Sequence, residues 1–457
     1  MKRILILLVL VSPFLVLSVT QRAEAVPSFA RQIKAPCSAC HTIWPNLNQY
    51  GRQFKVKAYT DASPDWDVIK NDRLNLFYVF PVSARILFSP YQIEQDAQAS
   101  FNQNLTQIDN MQIFIASRIF KYAGVFTSVE SGSIPGGNFT VAVSKLAFAR
   151  SIGDNTLGAV LFWGLPTAAD PFNSFGGWDR DIASPDDEVL PWVVTKGWTG
   201  SSWSGSSYGG TLHGYFLGNR LYAAITATRG GDVADADKLS GDFMHQLPGT
   251  PFATAEGVQS NPFGFIGRVA WDQSIPNGSV TLGGAVSTGV EKVLAADGAT
   301  VVSTHVNRQF IDASLEQDLG DSGQHLVEAK GIFGFGQETG LSPFSSLPNG
   351  SGFTGLGTGD KRSFTGGDVE ADYFYNRTYG IVGQYNWINN AHVDPADFDP
   401  ATSQHTWLAS LNYLPWYNTK IQFIYANVKS NYLTGGTVTS GSSETDKIYK
   451  FMVDVVF

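Results

Sequence analysis

From residue 73 onward, apolar and polar residues alternate along the chain. In residues 73–85 the even positions are apolar or aromatic from Leu74 to Ala84, whereas Asn75 and Arg85 occupy odd positions. A period of two predicts a β-strand with one apolar face. About sixteen such segments occur in all, the others being 111–120, 123–131, 141–152, 156–163, 212–217, 220–229, 263–272, 279–287, 309–315, 325–335, 369–375, 379–387, 405–413, 419–427 and 447–457.

The connections between these segments alternate between two kinds. Short ones occur at 121–122, 153–154, 218–219 and 415–418. Long ones, rich in Gly, Ser, Thr, Asp and Pro, occupy 165–210, 230–261, 336–368 and 429–446. Short turns at one end and long loops at the other are typical of an antiparallel outer-membrane barrel with its long loops outside the cell. An even strand number near sixteen fits this class, and residues 189–203 leave room for one further strand.

The last segment gives the most specific indication of this fold. Alternate positions back from the terminal Phe457 are apolar or aromatic, whereas Lys450 and Asp454 lie on the other face. The alternative is a buried strand of a periplasmic β-sandwich, which would also alternate. Aromatic residues bunched near strand ends favour a membrane barrel with interfacial girdles; they are Trp163, Trp387, Trp407, Tyr413 and Trp416.

Composition narrows the choice of class. The chain of 457 residues contains 47 Gly, 13% aromatic and 16% charged residues, and its mean hydropathy is -0.06. No apolar run near 20 residues follows the N-terminal region, which excludes helical membrane spans. A net charge of -9 and a pI of about 5.3 argue against nucleic acid as a partner.

The N-terminus predicts export. Lys2 and Arg3 precede an apolar run over residues 4–19, and Ala23-Glu24-Ala25 offers a small-x-small cleavage site. This pattern predicts a signal peptide over residues 1–25. The alternative, a transmembrane anchor, is disfavoured because Pro13 interrupts a run that is already short for spanning.

The only two cysteines belong to the motif Cys37-Ser38-Ala39-Cys40-His41. C-x-x-C-H is the attachment site of a c-type haem, in which two thiols form thioethers and the histidine ligates the iron. A thioredoxin-like pair would need a βαβ context, and a structural zinc site would need further ligands that the sequence lacks. Spacing alone leaves a simple disulfide open.

The surrounding segment, residues 26–70, predicts a small mono-haem domain. It reads as short helices over 29–33 and 46–56, and it is too short to enclose a haem on both faces. We therefore expect the segment to lie as a plug in the lumen of the barrel of residues 71–457, so that the barrel encloses the rest of the haem. One haem c is the expected cofactor, because no second cysteine pair is present.

The two parts together resemble a known family, the fused cytochrome–porins of the outer membrane of iron-oxidising bacteria. The resemblance is closest in Pro-Ser-Phe-Ala-Arg-Gln at residues 27–32, in the C-x-x-C-H motif, at Pro45 and Leu47, in residues 50–55 and in Tyr59-Thr60. It departs from the family pattern at Ile33-Lys34 and Lys57-Ala58. The family implies an oxidoreductase that oxidises extracellular Fe(II) and passes the electron through the haem to a periplasmic carrier such as a soluble cytochrome.

Two other functions stay open at this point. The haem could serve an electron-export conduit to an external acceptor, or the chain could be a passive porin with a haem-containing plug. In each case the protein lies among outer-membrane lipids. The sequence does not distinguish the directions of electron flow.

Further candidates for haem contacts follow from their positions in the sequence. Arg52 and Lys55 are candidates for contacts to the haem propionates, the alternative being helix solubility. No methionine or histidine that could serve as the sixth iron ligand occurs between His41 and Met111. By strand parity Met111 should face lipid and Met452 the lumen, which makes Met452 the candidate, with simple packing against the plug as the alternative. The competing candidates are Met244, the other histidines (among them His213, His245 and His305) and an open site.

Acidic clusters in the predicted outer loops are candidates for concentrating cations, although Asp is also common in turns. They are Asp179, Asp181, Asp186, Asp187 and Glu188; Asp232, Asp235 and Asp237; and Asp394, Asp397 and Asp399.

Overall fold

The computed structural model describes residues 27–63, 66–71, 74–77, 81–95, 100–103, 108–131, 139–164, 170–172, 207–229, 263–294, 301–320, 324–339, 361–389, 401–432 and 443–457. The predicted signal peptide, residues 189–203 and the three acidic loop clusters lie outside these ranges. No helix among the described residues is long and apolar enough to cross a membrane.

The N-terminal segment is helical, as predicted. Helix α1 spans Pro27–Ile33, a 3-10 turn spans Cys37–Ala39 and helix α2 spans Gln49–Val56. Helix α2 begins three residues later than predicted because Asn48 is its N-cap, whose side chain accepts a hydrogen bond from the Gly51 N–H at 2.9 Å. We call residues 27–63 the plug.

Nineteen strands follow within the described ranges. They are β1 (Asp67–Asn71), β2 (Leu74–Phe77), β3 (Val82–Gln95), β4 (Ser100–Gln103), β5 (Ile108–Phe120), β6 (Ala123–Ser131), β7 (Phe139–Ile152), β8 (Asn155–Gly164), β9 (Ser207–Phe216), β10 (Leu221–Arg229), β11 (Phe263–Ile275), β12 (Gly278–Leu294), β13 (Val301–Leu319), β14 (His325–Thr339), β15 (Lys361–Tyr375), β16 (Tyr379–Asn389), β17 (Ala401–Trp416), β18 (Thr419–Tyr432) and β19 (Ser443–Val456).

Strands β3 to β19 form a closed antiparallel barrel in which each strand pairs with its neighbours in sequence. Strands β4 and β5 both pair with β3, at its end and its beginning respectively, and so act as two pieces of one barrel strand. The barrel therefore has sixteen strands. Its closure is the antiparallel pairing of β19 with β3. The predicted fold class and strand number are confirmed.

The first predicted strand is wrong in its bounds. Residues 73–85 do not form one strand: β1 and β2 make a separate two-stranded sheet, and the first barrel strand begins only at Val82. Pro81 lies at the break, and proline has no N–H to donate to a ladder. The second half of β3 was missed, because Pro90 interrupts its alternation and the ladder to β19 is irregular there, between Phe451 and Val453.

The two faces of the barrel differ in chemistry. Outward positions are apolar and exposed in the lone chain, reaching 65% exposure at Leu212 and Ile311. Aromatic side chains stack on the outer face near strand ends, as Trp163 does on Tyr208, which agrees with the predicted girdles. An apolar belt around a closed antiparallel barrel is the architecture of bacterial outer-membrane proteins, because only a closed barrel satisfies every backbone hydrogen bond in lipid. The chain is an outer-membrane barrel.

The plug lies inside the barrel at the end where the strands join by short turns. Arg377, in the turn between β15 and β16, donates a hydrogen bond to the carbonyl of Thr42 at 2.9 Å. Near the opposite side, the carbonyl of Ala58 lies against Gly124 at the start of β6. Both termini of the barrel sheet lie at this same end, which is the periplasmic end in barrels of this class.

Candidate functional site

The C-x-x-C-H segment is a tight turn held by its own backbone. The N–H groups of Cys40 and His41 both donate to the carbonyl of Cys37, each at 3.0 Å, and the N–H of Ala39 donates to the carbonyl of Pro36 at 2.9 Å. The turn places the two cysteines one 3-10 turn apart and His41 directly after them.

The ring of His41 is oriented by its own chain. Its Nδ1 lies 3.0 Å from the carbonyl oxygen of Pro45. A carbonyl can only accept a hydrogen bond, so Nδ1 carries the proton of the neutral ring and Nε2 carries the lone pair. A backbone carbonyl on one ring nitrogen is the usual support of a histidine that ligates a metal through the other. The donor set therefore fits axial ligation of a haem iron.

The two thiols have different surroundings, and neither is in a disulfide. Cys37 is buried in an apolar cluster with Trp44 and Val456, against which Tyr417 packs. Cys40 is half-buried, and burial together with the negative charge of Asp61 raises the pKa of its thiol to about 12. Reactive dithiol pairs have lowered thiol pKa values, so the environment of Cys40 argues against a thioredoxin-like function.

All five N–H groups of Arg52 donate hydrogen bonds, four of them to the barrel wall and one to the plug itself. Nε and Nη2 donate to the two carboxylate oxygens of Asp272 at 3.1 and 3.0 Å, Nη1 donates to Glu316 and the carbonyl of Leu47, and Nη2 also donates to Ser279. Burial disfavours the charge of Arg52, but Glu316 and Asp272 outweigh it and raise the pKa of the guanidinium above its usual value. The guanidinium thus has no donor left over for the haem propionate that was predicted to bind it.

Lys55 lies in the last turn of α2 and is half-buried. Its propionate contact stays a prediction. The residue is one turn further along the helix from Arg52, so the two side chains leave α2 on neighbouring faces.

Met452 faces the lumen, as strand parity predicted. It is fully buried and belongs to the same apolar cluster as Ile43, which lies two residues after His41. Met111 is only half-buried and shares its face of β5 with the exposed Ile115. The orientations of both methionines are confirmed, whereas iron ligation by Met452 stays a prediction.

Of the histidines named as competitors, His213 touches the plug. Its Nε2 lies 3.0 Å from the carbonyl of Val56 at the end of α2, so Nε2 carries the proton. His213 is buried, and its Nδ1 has no hydrogen-bond partner among the described residues. The backbone of His305 lies in β13, and His245 and Met244 lie outside the described residues.

A loop segment beyond β8 reaches into the lumen and meets the plug. Asp170 lies 3.6 Å from Arg268 on the wall, and the guanidinium of Arg52 lies 6.0 Å from the ring centre of Phe172. Phe172 also packs edge-on against Tyr222, at 5.8 Å between ring centres. The plug is therefore held between the wall and this loop.

The sequence interpretation missed the acidic residues of the lumen wall. Asp272 and Glu316 hold Arg52, and Asn46 of the plug donates a hydrogen bond to Glu328. The signal was present in the strand pattern, because these carboxylates occupy positions of lumen parity. It could not be assigned, since any barrel lumen accepts polar residues.

Comparison with known proteins supports the fold alone. No protein-family model and no curated protein matches the chain. Among solved structures it is similar to OprB of Pseudomonas putida, with a TM-score of 0.50 and 8% identity over 82% of this chain and 94% of that chain. It also aligns with an anion-selective porin from Comamonas acidovorans, with a TM-score of 0.46 and 11% identity over 82% of this chain and 99% of that chain. OmpF of Salmonella typhi aligns with a TM-score of 0.44 and 12% identity over 85% and 99%. The likeness to OprB shows a porin-type barrel.

Proposed function

We propose that the chain is an outer-membrane electron-transfer protein that oxidises extracellular Fe(II) and delivers the electron to a periplasmic carrier. The observation that carries the proposal is the C-x-x-C-H turn, in which the Pro45 carbonyl holds Nδ1 of His41 and so directs the lone pair to Nε2. The resemblance to the fused cytochrome–porins gives the direction of the reaction.

In this proposal Cys37 and Cys40 hold one haem c through thioethers, and His41 ligates its iron. The haem, when bound, supplies a one-electron carrier. Each Fe(II) loses one electron and becomes Fe(III), and a periplasmic electron carrier such as a soluble cytochrome accepts that electron. Because Fe(III) is poorly soluble near neutral pH, oxidation on the extracellular side of the plug keeps the product out of the periplasm.

The position of the plug supports delivery to the periplasm. The C-x-x-C-H turn packs through Cys37 on Val456 and Tyr417, at the short-turn end of the barrel. That end faces the periplasm in barrels of this class. An electron carried at this point is on the periplasmic side of the membrane, where the periplasmic carrier can accept it.

The proposal is tested on protein purified from outer membranes. We expect haem staining on a denaturing gel, a c-type reduced-minus-oxidised spectrum, and reduction of the oxidised protein when Fe(II) is added without oxygen. Cys37→Ala with Cys40→Ala should abolish the staining, whereas Ser38→Ala in the same turn should retain it. Undiminished staining without either cysteine overturns the attachment, and failure of Fe(II) to reduce the wild type overturns the oxidase.

A passive porin is the second candidate, and the porin-type barrel with its polar lumen favours it. Planar-bilayer conductance separates the two functions. A steady open-channel current in the haem-loaded wild type, together with no reduction by Fe(II), would favour the passive porin. A haem potential well below that of the Fe(III)/Fe(II) couple at working pH would favour electron export.

A further inference from the structure

A column of carboxylates runs along the lumen wall beside the plug. Asp368, Glu370 and Asp372 occupy alternate positions of β15 and are almost completely buried. Glu328 on β14 is the direct neighbour of Asp372 in the ladder and is fully buried too. Alternate residues of a strand lie about 6.8 Å apart on one face, so the column extends into the lumen in even steps.

Some of these carboxylates have clear partners. Lys330 lies 3.2 Å from Glu370, and the amide nitrogen of Gln384 donates to both oxygens of Asp368 at 3.1 Å. The remaining two carboxylates of the column are those of Glu328 and Asp372.

Asp372 has no donor on either oxygen among the residues that the structure describes. Both of its carboxylate oxygens are buried without a hydrogen-bond partner in the described part of the chain, although the residue is only 3% exposed. Its side chain lies against the carboxylate of Glu370 and within the electrostatic reach of Glu328. Oε1 of Glu328 likewise lacks a partner, while its Oε2 accepts from Asn46 of the plug. Carboxylates in contact inside a protein require a proton or a cation between them.

We propose that Glu328, Glu370 and Asp372 bind a hydrated divalent cation on the lumen wall beside the plug. Within the described ranges no three His, Cys, Asp or Glu side chains converge closely enough to hold a bare ion. A cation that keeps several of its waters fits this spacing, because its waters donate to carboxylate oxygens that have no other donor. Lys330 offsets part of the negative charge at Glu370, and the buried ammonium of Lys420 lies within electrostatic reach of Glu370 and Asp372, so the ion neutralises the charge that these two lysines leave.

Water has room beside the carboxylate column. A cavity of about 50 Å³ between the plug and the wall is lined by Asn46, Glu316 and Lys330, among others. A single water needs roughly 10–15 Å³ on the same measure, so the cavity accommodates a few waters. Asn46 and Lys330 contact both this cavity and the carboxylates, which connects the hydration of the cavity with the proposed cation.

The cation site also deepens the proposed function, and in this respect it rests on that function. A divalent ion held where the plug meets the wall is the Fe(II) that gives up its electron. The acidic column then leads from the lumen to the plug, which attracts cations and repels anions along its length.

The test measures cation binding apart from electron transfer. Purified wild-type holoprotein in detergent is titrated with Mn(II), and bound ion is followed by loss of the electron paramagnetic resonance signal of aqueous Mn(II). We expect saturable binding that Mg(II) displaces and sodium does not. Asp372→Asn and Glu328→Gln should weaken this binding at least tenfold. Asp154→Asn, an isosteric change in the exposed turn between β7 and β8, should leave it unchanged.

Two results overturn the cation site. One is equal Mn(II) binding by Asp372→Asn and the wild type. The other is absence of saturable binding in the wild type; a higher melting temperature of Asp372→Asn would then show that the carboxylates share protons instead. Mn(II) binding that the variants lose supports the site even if Fe(II) fails to reduce the haem, and that failure would then remove the oxidase alone. Under the full proposal, Asp372→Asn raises the Fe(II) concentration needed for half-maximal haem reduction at least tenfold.

Discussion

Arg52 of the plug and Asp272 of strand β11 form a two-pronged ion pair inside the barrel, with nitrogen-to-oxygen distances of 3.1 and 3.0 Å. Side-chain exposure is 3% for Arg52 and none for Asp272. Because the pair is desolvated, it stabilises the fold only if its hydrogen bonding is complete. Ser279, Glu316 and the Leu47 carbonyl accept the remaining hydrogen bonds of Arg52. The pair joins the plug to the wall.

Loss of one partner should release the plug. Arg52→Gln leaves Asp272 buried without its cation, and breaking such a pair costs about 3–5 kcal/mol. We expect hydrogen exchange of the α2 amides to accelerate about 100-fold or more, measured by mass spectrometry, while the barrel strands keep their protection. Lys57→Gln is the control, since Lys57 and Asp61 are only half-buried and 3.9 Å apart. That change should cost at most about 1 kcal/mol. Equal exchange in both variants would show that Arg52 does not anchor the plug.

Gly51 makes the turn and helix α2 fit together. A Cβ at this position would lie 2.2 Å from the carbonyl oxygen of Cys40, which is backbone and cannot rotate away. Alanine is otherwise better than glycine in a helix by about 1 kcal/mol, so the clash decides the sign. Gly51→Ala should therefore lower haem retention on denaturing gels by more than half. Gly383→Ala, where nothing lies within 4 Å of the added carbon, should retain full staining. Full staining of Gly51→Ala would show that the turn tolerates displacement.

The barrel was readable from the sequence because lipid and lumen impose opposite demands on successive residues. Strand β6 shows this well: its predicted bounds, 123–131, are those of the structure. The turn at Gly153 and Asp154 was also found, since a glycine with φ of 59° suits a tight connection. Where the pattern failed, at residues 73–85, proline interrupted the ladder while the hydrophobic alternation ran on.

The site was readable only where its chemistry is local in sequence. Cys37, Cys40 and His41 lie within five residues, so their spacing carries the inference. Arg52 and Asp272 are 220 residues apart, and the sequence around either residue does not indicate that the two form a pair. The propionate interpretation of Arg52 used its nearness to the motif in sequence, whereas the fold turns the side chain to the wall.

The C-terminus closes the barrel through its backbone. The N–H of Phe457 donates to the carbonyl of Ala84 at 2.8 Å, and the N–H of Ala84 donates to the carbonyl of Phe457 at 2.7 Å. Truncation after Val455 removes both bonds and leaves the start of β3 as an open edge. We expect little heat-modifiable protein in outer membranes on gels run with and without boiling. Phe457→Ala keeps the backbone bonds and should assemble better than the truncation. Normal assembly of the truncated chain would contradict a role for this closure.

Met452 is the candidate for the sixth ligand of the proposed haem iron. Strand β19 contacts the plug at two places: Val456 packs with Cys37, and Met452 belongs to the cluster that contains Ile43. The thioether of Met452 is thus the one methionine sulfur in the described part of the chain that is buried on the lumen side. Methionine ligation raises a haem potential, so Met452→Leu should lower the potential and change the reduced-minus-oxidised spectrum.

Leucine conserves the volume of Met452, which separates ligation from packing, because a volume-conserving exchange costs less than about 1.5 kcal/mol. Met111→Leu on the lipid side of β5 is the matched control and should leave the spectrum as it is. If Met452→Leu also leaves both the spectrum and the potential unchanged, Met452 is eliminated. His213→Gln then becomes the decisive variant, since His213 contacts the plug at Val56 and its Nδ1 is buried without a hydrogen-bond partner among the described residues. A spectral change in that variant would assign the ligand to the barrel wall.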